Sequence, residues 1–524
     1  MFKKLLVPVF VLLSAVLSLT MPSCKPREEE LQTSGGLEFS ADTVKFDTVF
    51  TTLRTVTKRL WVYNRNPKGV NVDLISLDQP AASSYKLIIS GDEKQVASNV
   101  FIRGNDSLLI LVRGEKLPDN GQNYPDKPYV LEEKLNFTTN GNQQRVLLRS
   151  FGQNIYLHDG TKTPVLLPCG TEWKNDRPHV LYGQVVVPVN CTLRIKPGAR
   201  IYAHAGASLI VQGTLLVNSP ADYQPGTGAT DTVKAGNTNI VRFAGDRSGE
   251  TQYATAPGQW AGIVLNASSH GNIIRYAQIQ NATFGLLLYN PDNLSPRPDV
   301  LLQNAVVRYI SGANVSFAGA KSTLEYGAGV LSIGGKATME NTLFTDCYEY
   351  AVLGIGGGEY SLNYCTIANY PATASVRNTA SLTFSNVAAD GKTKTTGPTL
   401  QLLNSIVWGS LSDELSFINY DDYRAGVSVQ NTMLATQSYA ASADAAGKPG
   451  LARPDLRNLI APYSYTYPKF KRIGAGVDSD YRLDSSSPGL SRGMQQAPPL
   501  LSRDLLNLPR PTTAPALGAY QTTK

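Results

Sequence analysis

The chain has 524 residues, 17% of them charged, and a formal net charge of +7. That length exceeds one ordinary globular core, so several units or a solenoid are expected. The charge is mild for the length and no basic run or aromatic-basic platform occurs, which argues against a nucleic-acid partner. With 45 glycines and only 5 methionines, the composition suits short strands joined by many turns rather than helical bundles.

Lys3 and Lys4 precede an apolar run from Leu5 to Leu19, and Met21-Pro22-Ser23-Cys24 follows. The run is short for a bilayer span and right for the apolar core of a signal peptide. Ser23-Cys24 resembles a bacterial lipobox, although Met21 and Pro22 stand where the usual pattern has Leu and a small residue. The next six residues, Lys25 to Glu30, resemble the tether of Bacteroidetes surface lipoproteins. The resemblance implies a signal peptide at 1–23, lipidation at Cys24, a tether over 24–36 and a lipid-anchored, cell-surface place at the outer membrane. An acylated cysteine with more than one chain would anchor stably. The alternative is a secreted protein in which Cys24 is incidental.

Residues 37–160 read as strand segments separated by turn signals. Alternation is clean in Leu60-Trp-Val-Tyr63, and Asn140-Gly141 between two such runs reads as a hairpin. An antiparallel β-sandwich is expected. The stretch from Phe46-Asp-Thr-Val-Phe50 through Val62-Tyr-Asn64 to Val146-Leu-Leu and Phe151-Gly152 resembles immunoglobulin-like (Ig-like) modules of Bacteroidetes lipoproteins. Such a module implies a spacer or contact domain.

From about Pro164 the rhythm changes. Thr192–Ile201 and Ser208–Val217 repeat short apolar alternations with Gly between them, the opening of a parallel β-helix. Residues 219–255 read as a polar loop insertion. Heptads beginning at Ile274, Leu302, Met339, Leu362, Leu382, Leu402 and Val429 then continue the pattern. Three of them, Leu362–Ala368, Leu382–Ala388 and Leu402–Trp408, sit twenty residues apart, which predicts stacked coils of that period. Asn304, Asn341, Asn404 and Asn431 recur at matching places and predict an amide ladder from coil to coil. Cys169 and Cys191 lie 22 residues apart, close to one coil. Stacking could join them in a disulfide, which closes a loop worth about 3 kcal/mol; two free buried thiols are the alternative. Cys347 and Cys365 read as small core residues.

The β-helix reading covers 164–436, and 437–524 reads as a C-terminal segment closing it. Asp480–Gly489, Asp504, Arg510 and Leu517-Gly-Ala-Tyr520 resemble the ending of right-handed β-helix proteins of the pectate-lyase-like superfamily. The resemblance covers roughly 164–524 and implies polysaccharide lyases or glycoside hydrolases, so catalysis has to be sought in the residues. A lyase needs a base near a uronate and often an acidic calcium cluster. Asp413-Glu414 with Asp421-Asp422-Tyr-Arg424 is the densest acidic patch, and Asp421, Asp422 and Arg424 are its candidates. A solvated charged loop is the competing reading. The four histidines (His158, His179, His204, His270) are scattered, with no metal-ligand spacing. Trp260 reads as packing, and the run Gly354–Gly358 as a tight corner. Tyr463, Tyr465 and Tyr467 alternate before Lys469, Lys471 and Arg472, which would suit an anionic glycan; a Tyr-rich cap is the alternative.

The chain is thus expected to be all-β: an Ig-like sandwich, then a right-handed parallel β-helix. The leading function is a non-catalytic, lipid-anchored surface protein that binds glycan or an outer-membrane partner. Alternatives are a polysaccharide lyase or glycoside hydrolase acting on an acidic polysaccharide, and a structural accessory of an outer-membrane assembly. No metal or cofactor is called for, calcium entering only under the lyase alternative.

Overall fold

The structure is a computed structural model. It describes residues 30–522 except 52, 54–56, 116–118, 120, 122–128, 227, 229–231, 233–235, 312–323, 371–376, 444–446, 449, 462–466, 475–478 and 495–498. The signal-peptide region and Cys24 lie outside the described residues, as do Tyr463 and Tyr465. The chain divides near residue 153 into two compact units.

The first unit contains two five-stranded sheets. Among the described residues, all strand pairings within these sheets are antiparallel except that of Asn142–Gln153 with Thr43–Phe50, and a parallel bridge joins Leu31 to Gly69. Alternation decides the inner faces. Leu60 and Val62 of one sheet, and Phe46 and Ile75 of the other, meet in a single core from which water is excluded. Tyr85 carries its hydroxyl into that core and satisfies it on Ser150 Oγ at 2.7 Å.

The second unit is built of parallel strands, stacked coil on coil, an arrangement that fits a β-helix. Each full coil gives one strand to a nine-stranded sheet, here the first face, and two to an eighteen-stranded sheet, the second and third faces. Register aligns one inner column as Ile274, Leu302, Met339, Leu362, Leu402 and Val429. On the second face Phe243, Ile279, Val307, Phe344, Ile367, Val407 and Leu434 align likewise. These side chains are buried, so every rung seals its neighbours.

The twenty-residue period does not correspond to a coil. Leu362 pairs with Leu402, a full coil of forty residues, whereas Leu382 begins a strand of the third face. A strand half a coil away needs the same inward Leu and Phe, so its sequence mimics the next rung. Coil length varies because turns vary while strands do not.

The asparagine positions are corners. Asn304, Asn341, Asn404 and Asn431 all have positive φ, between 45° and 51°. Asn tolerates this left-handed backbone because its short amide bonds locally. Among the described residues, direct amide contacts along this row run only from Asn341 to Asn304 (3.3 Å) and from Asn404 to Asn363 (3.0 Å), and Tyr364 occupies the corner between them. The ladder is therefore broken, and its amides mostly serve the C-terminal segment. Asn341 donates to Arg503 O at 2.7 Å, Asn404 to Met494 O at 3.0 Å and Asn431 to Arg492 O at 2.9 Å.

That C-terminal segment does more than cover the last coil. It runs back along the outside of the second face as a strap. Leu483, Leu490, Leu505, Leu517 and Tyr520 pack on the outward Val306, Leu343, Ile406, Trp408 and Met433. Its far point reaches the polar stretch before Val241, where Asn507 donates to Gly226 O at 2.6 Å and Gly228 O at 2.7 Å; Val241–Gly245, expected as part of a 219–255 loop, is instead a strand of the second face. The outward apolar row explains the strap: without it, five coils would expose a hydrophobic stripe to water.

Candidate functional site

The acidic segment from Asp413 to Arg424, which runs through the strand Leu415–Ile418, has each of its carboxylates engaged. Glu414 is wholly buried and pairs with Arg377, also accepting from Ser381 Oγ at 2.6 Å and Leu411 N at 2.9 Å. Asp413 accepts from Thr436 Oγ1, Gln437 N and Ser438 N and so holds a turn. Asp421 is held below the usual carboxylate range by Lys448 at 2.6 Å and Arg424 at 2.8 Å. Lys394 at 2.8 Å, with the Asn386 amide, does the same for Asp422. Asp421 and Arg424 are thus brought together, but Asp422 turns to other partners. Tyr467 packs on Trp408 at 4.8 Å as part of the strap. Nearby, a groove of about 410 Å³ is lined by Thr436, Gln437, Asn458, Ile460 and three alanines. It holds no charged side chain.

Trp260 is 1% exposed and its indole N–H donates to Gln280 O at 2.9 Å, a packing role. Gly356, Gly357 and Gly358 all have positive φ and make a corner; a Cβ at Gly357 would lie 2.4 Å from Thr396 O. Cys169 and Cys191 are joined in a disulfide with Cα atoms 4.6 Å apart, while Cys347 and Cys365 are free and buried.

Two of the histidines scattered in sequence, His158 and His179, are neighbours in space. His158 Nε2 and His179 Nδ1 lie 3.1 Å apart, and both rings pack against Trp173 at the first coil. Burial depresses His158 to about 4 and His179 to about 3, so both are neutral near pH 7. His270 bonds to Arg297 O at 3.1 Å.

His204 has the most reactive setting. Register stacks Asp159 under Tyr182, and the backbone N–H groups of His204 and Asp246 donate to Leu181 O and Ala203 O, one rung further each time. Asp159, Tyr182, His204 and Asp246 therefore form a column at one corner of the first coils. The Tyr182 and His204 rings lie 4.1 Å apart and 2° from parallel. His204 Nδ1 meets Asp246 Oδ2 at 2.6 Å, and this bond raises the histidine above its ordinary value although burial opposes it. Burial pushes Tyr182 up to about 12. The His204 side chain is 43% exposed, that of Asp246 only 12%. Beside the column, the guanidinium of Arg247 stacks over Tyr253 at 3.7 Å and bonds Glu250.

No family model matches the chain, and no curated protein does. Among solved structures it is similar to a protein of unknown function from Porphyromonas gingivalis, with 9% identity and a TM-score of 0.17, over 25% of this chain. The chain spans about half (51%) of that protein's length. It is also similar to a family 123 glycoside hydrolase from Clostridium perfringens (9% identity, TM-score 0.15, covering 23% of this chain and 30% of the hydrolase). A third likeness is to an ASH/PapD-like domain of a human protein (11% identity, TM-score 0.16, covering 26% of this chain and 96% of the domain). Overlaps this small leave the function to be argued from the chain's own residues.

The corner column offers two things chemically. Tyr182 and His204 stack face to face, each covering a face of the other, and the carboxylates of Asp159 and Asp246 flank the stack as acceptors. Asp246 also fixes the imidazole through Nδ1, leaving Nε2 to exchange a proton. Sequence spacing hid the column because its members lie one coil apart, at separations of 23, 22 and 42 residues. Among the described residues no group of three or more His, Cys, Asp or Glu could hold a metal ion. Among them, too, no helix is long and apolar enough to cross a membrane.

Proposed function

We propose that this chain is a lipid-anchored surface protein, tethered at Cys24 to the outer membrane, whose solenoid binds glycan without cleaving it. In this reading the sandwich is an Ig-like spacer and the solenoid a right-handed β-helix of the pectate-lyase-like kind. One observation carries the binding role: the parallel Tyr182–His204 stack, half open to solvent and flanked by carboxylates. Rings stacked face to face offer their polar edges, the Tyr182 hydroxyl and His204 Nε2, to a sugar's hydroxyls, and the flanking carboxylates accept from those hydroxyls. The engagement of Asp413, Glu414, Asp421 and Asp422 in local bonds supports a structural role for the acidic link.

A second reading, cleavage of an acidic polysaccharide, has one observation in its favour: Asp246 orients His204 as a general acid–base pair would require. A glycan array run beside a uronate-polymer degradation assay separates the two. Binding lost in Tyr182→Ala with no release of unsaturated product supports the binding module. Cleavage that disappears in His204→Gln would establish the enzyme instead.

A further inference from the structure

One outer face of the sandwich departs from the usual division of an antiparallel sheet into a buried apolar side and a polar side. In the sheet that contains Lys58–Tyr63, Ser107–Gly114 and Tyr85–Ile89, the inward Leu60, Val62, Ile110 and Val112 fill the core. Alternation turns Trp61, Tyr63, Leu109, Leu111 and Ile88 the other way, where polar side chains are the norm. Register makes them one patch: Trp61 stands opposite Leu109, and Leu111 opposite Ile88. Among the described residues none of the five packs into a buried apolar cluster, and Trp61 is 37% exposed. A row of this kind left to water marks a contact surface.

Cations border the patch. Arg59 stands opposite Leu111, and Lys86 lies two residues before Ile88. Neither has an ion-pair partner among the described residues. The carboxylates nearby are already held: Glu38 by Arg65, whose guanidinium lies 4.3 Å over the Tyr63 ring, and Glu93 and Glu115 by Arg113. Arg59 and Lys86 are left to meet an anion.

The neighbouring strand bears on which anion. Glu38–Phe39 pairs with Lys58–Tyr63, and Glu38 stands opposite Tyr63. Cys24 precedes Glu38 by fourteen residues, at most about 50 Å of extended chain. A membrane holding Cys24 is therefore within reach of this face. Three of the five apolar side chains are branched aliphatics, which give a sugar no plane to stack on. They gain by leaving water for the acyl boundary of a bilayer, while Trp and Tyr suit the headgroup level and cations suit anionic headgroups.

We propose that this face, Trp61, Tyr63, Leu109, Leu111 and Ile88 bordered by Arg59 and Lys86, rests on an anionic lipid surface as a second membrane contact beside the acyl anchor. The inference rests on the anchored reading of the chain for bringing a membrane near, and on the face itself for its chemistry.

The test uses the mature chain, residues 24–524, carrying Cys24→Ser so that no acyl group contributes, with vesicles of phosphatidylcholine alone or mixed with phosphatidylglycerol. The chain should sediment with the mixed vesicles and much less with the neutral ones. Brominated lipid in the mixed vesicles should quench Trp61, because Trp173, Trp260 and Trp408 are at most 1% exposed. Trp61→Phe should still bind but lose the quenched signal. Arg59→Gln with Lys86→Gln should weaken binding at least about tenfold. Absence of binding, equal binding to both vesicles, or binding without quenching would overturn the proposal. A dimer that Trp61→Arg dissociates, with no vesicle binding, would give the face to a second copy instead. Mass spectrometry of Cys24 in the native chain tests the anchor separately. An acylated chain whose Trp61 stays unquenched sinks the face alone, and quenching in a chain that is never acylated sinks the anchor alone.

Discussion

Arg377 and Glu414, thirty-seven residues apart in sequence, form an ion pair sealed inside the solenoid, with side chains 1% and 0% exposed. The pair is fully hydrogen-bonded on the carboxylate side, through Ser381 N and Oγ and Leu411 N. Removing one partner strands the other charge away from water, which costs about 3–5 kcal/mol. Glu414→Ala should therefore lower the solenoid's unfolding midpoint markedly. Asp421→Ala, in the same acidic link but at the surface, should leave it unchanged. Thermal or denaturant unfolding of the two variants checks the contrast.

The first coil should be acid-labile. His158 and His179 are neutral in the fold and become charged when it opens, since burial has moved both well below 6.5. Between pH 6.5 and about 4 the unfolded chain binds protons that the folded one refuses, so stability falls as pH falls. The slope is up to about 1.4 kcal/mol per histidine per pH unit. His179→Phe should roughly halve it, leaving the His158 contribution, as followed by Trp173 fluorescence against pH.

The Cys169–Cys191 disulfide closes a loop of 22 residues at the same end of the solenoid. Its reduction, or a paired change to serine, should cost about 3 kcal/mol. Cys347 and Cys365 should resist alkylation in the native protein, because burial pushes both thiols up, Cys365 to about 12. Mass spectrometry after labelling with and without denaturant distinguishes the two classes.

The corner asparagines act through both backbone and amide. Asn404→Ala loses a residue suited to positive φ and leaves Met494 N and O without their bonds. A cost of about 2 kcal/mol is expected. Its signature is local: exchange protection should fall over residues 489–494 of the strap before the coils themselves loosen.

Much of this architecture is legible in the sequence. Inward Leu, Ile and Val alternate wherever a strand forms, and the Gly354–Gly358 corner can be seen as such. Coil length cannot, because Leu382 and Leu402 begin near-identical heptads on different faces. Nor can the strap's course, which follows from an outward apolar row, Val306 to Met433, that reads like any other alternation. The candidate site was hidden for a related reason. Tyr182, His204 and Asp246 touch only because variable turns bring successive corners into line, and no fixed spacing signals that contact. The acidic patch drew attention by its density, yet density reflected local pairing with Lys394, Arg424 and Lys448.

Glycan binding at the Tyr182–His204 corner, proposed above, is decided by calorimetric titration of the full chain with oligosaccharides selected on a glycan array. Saturable binding to the wild type should weaken at least about tenfold, some 1.4 kcal/mol, in Tyr182→Ala, without product release. Equal affinity in wild type and Tyr182→Ala would contradict it.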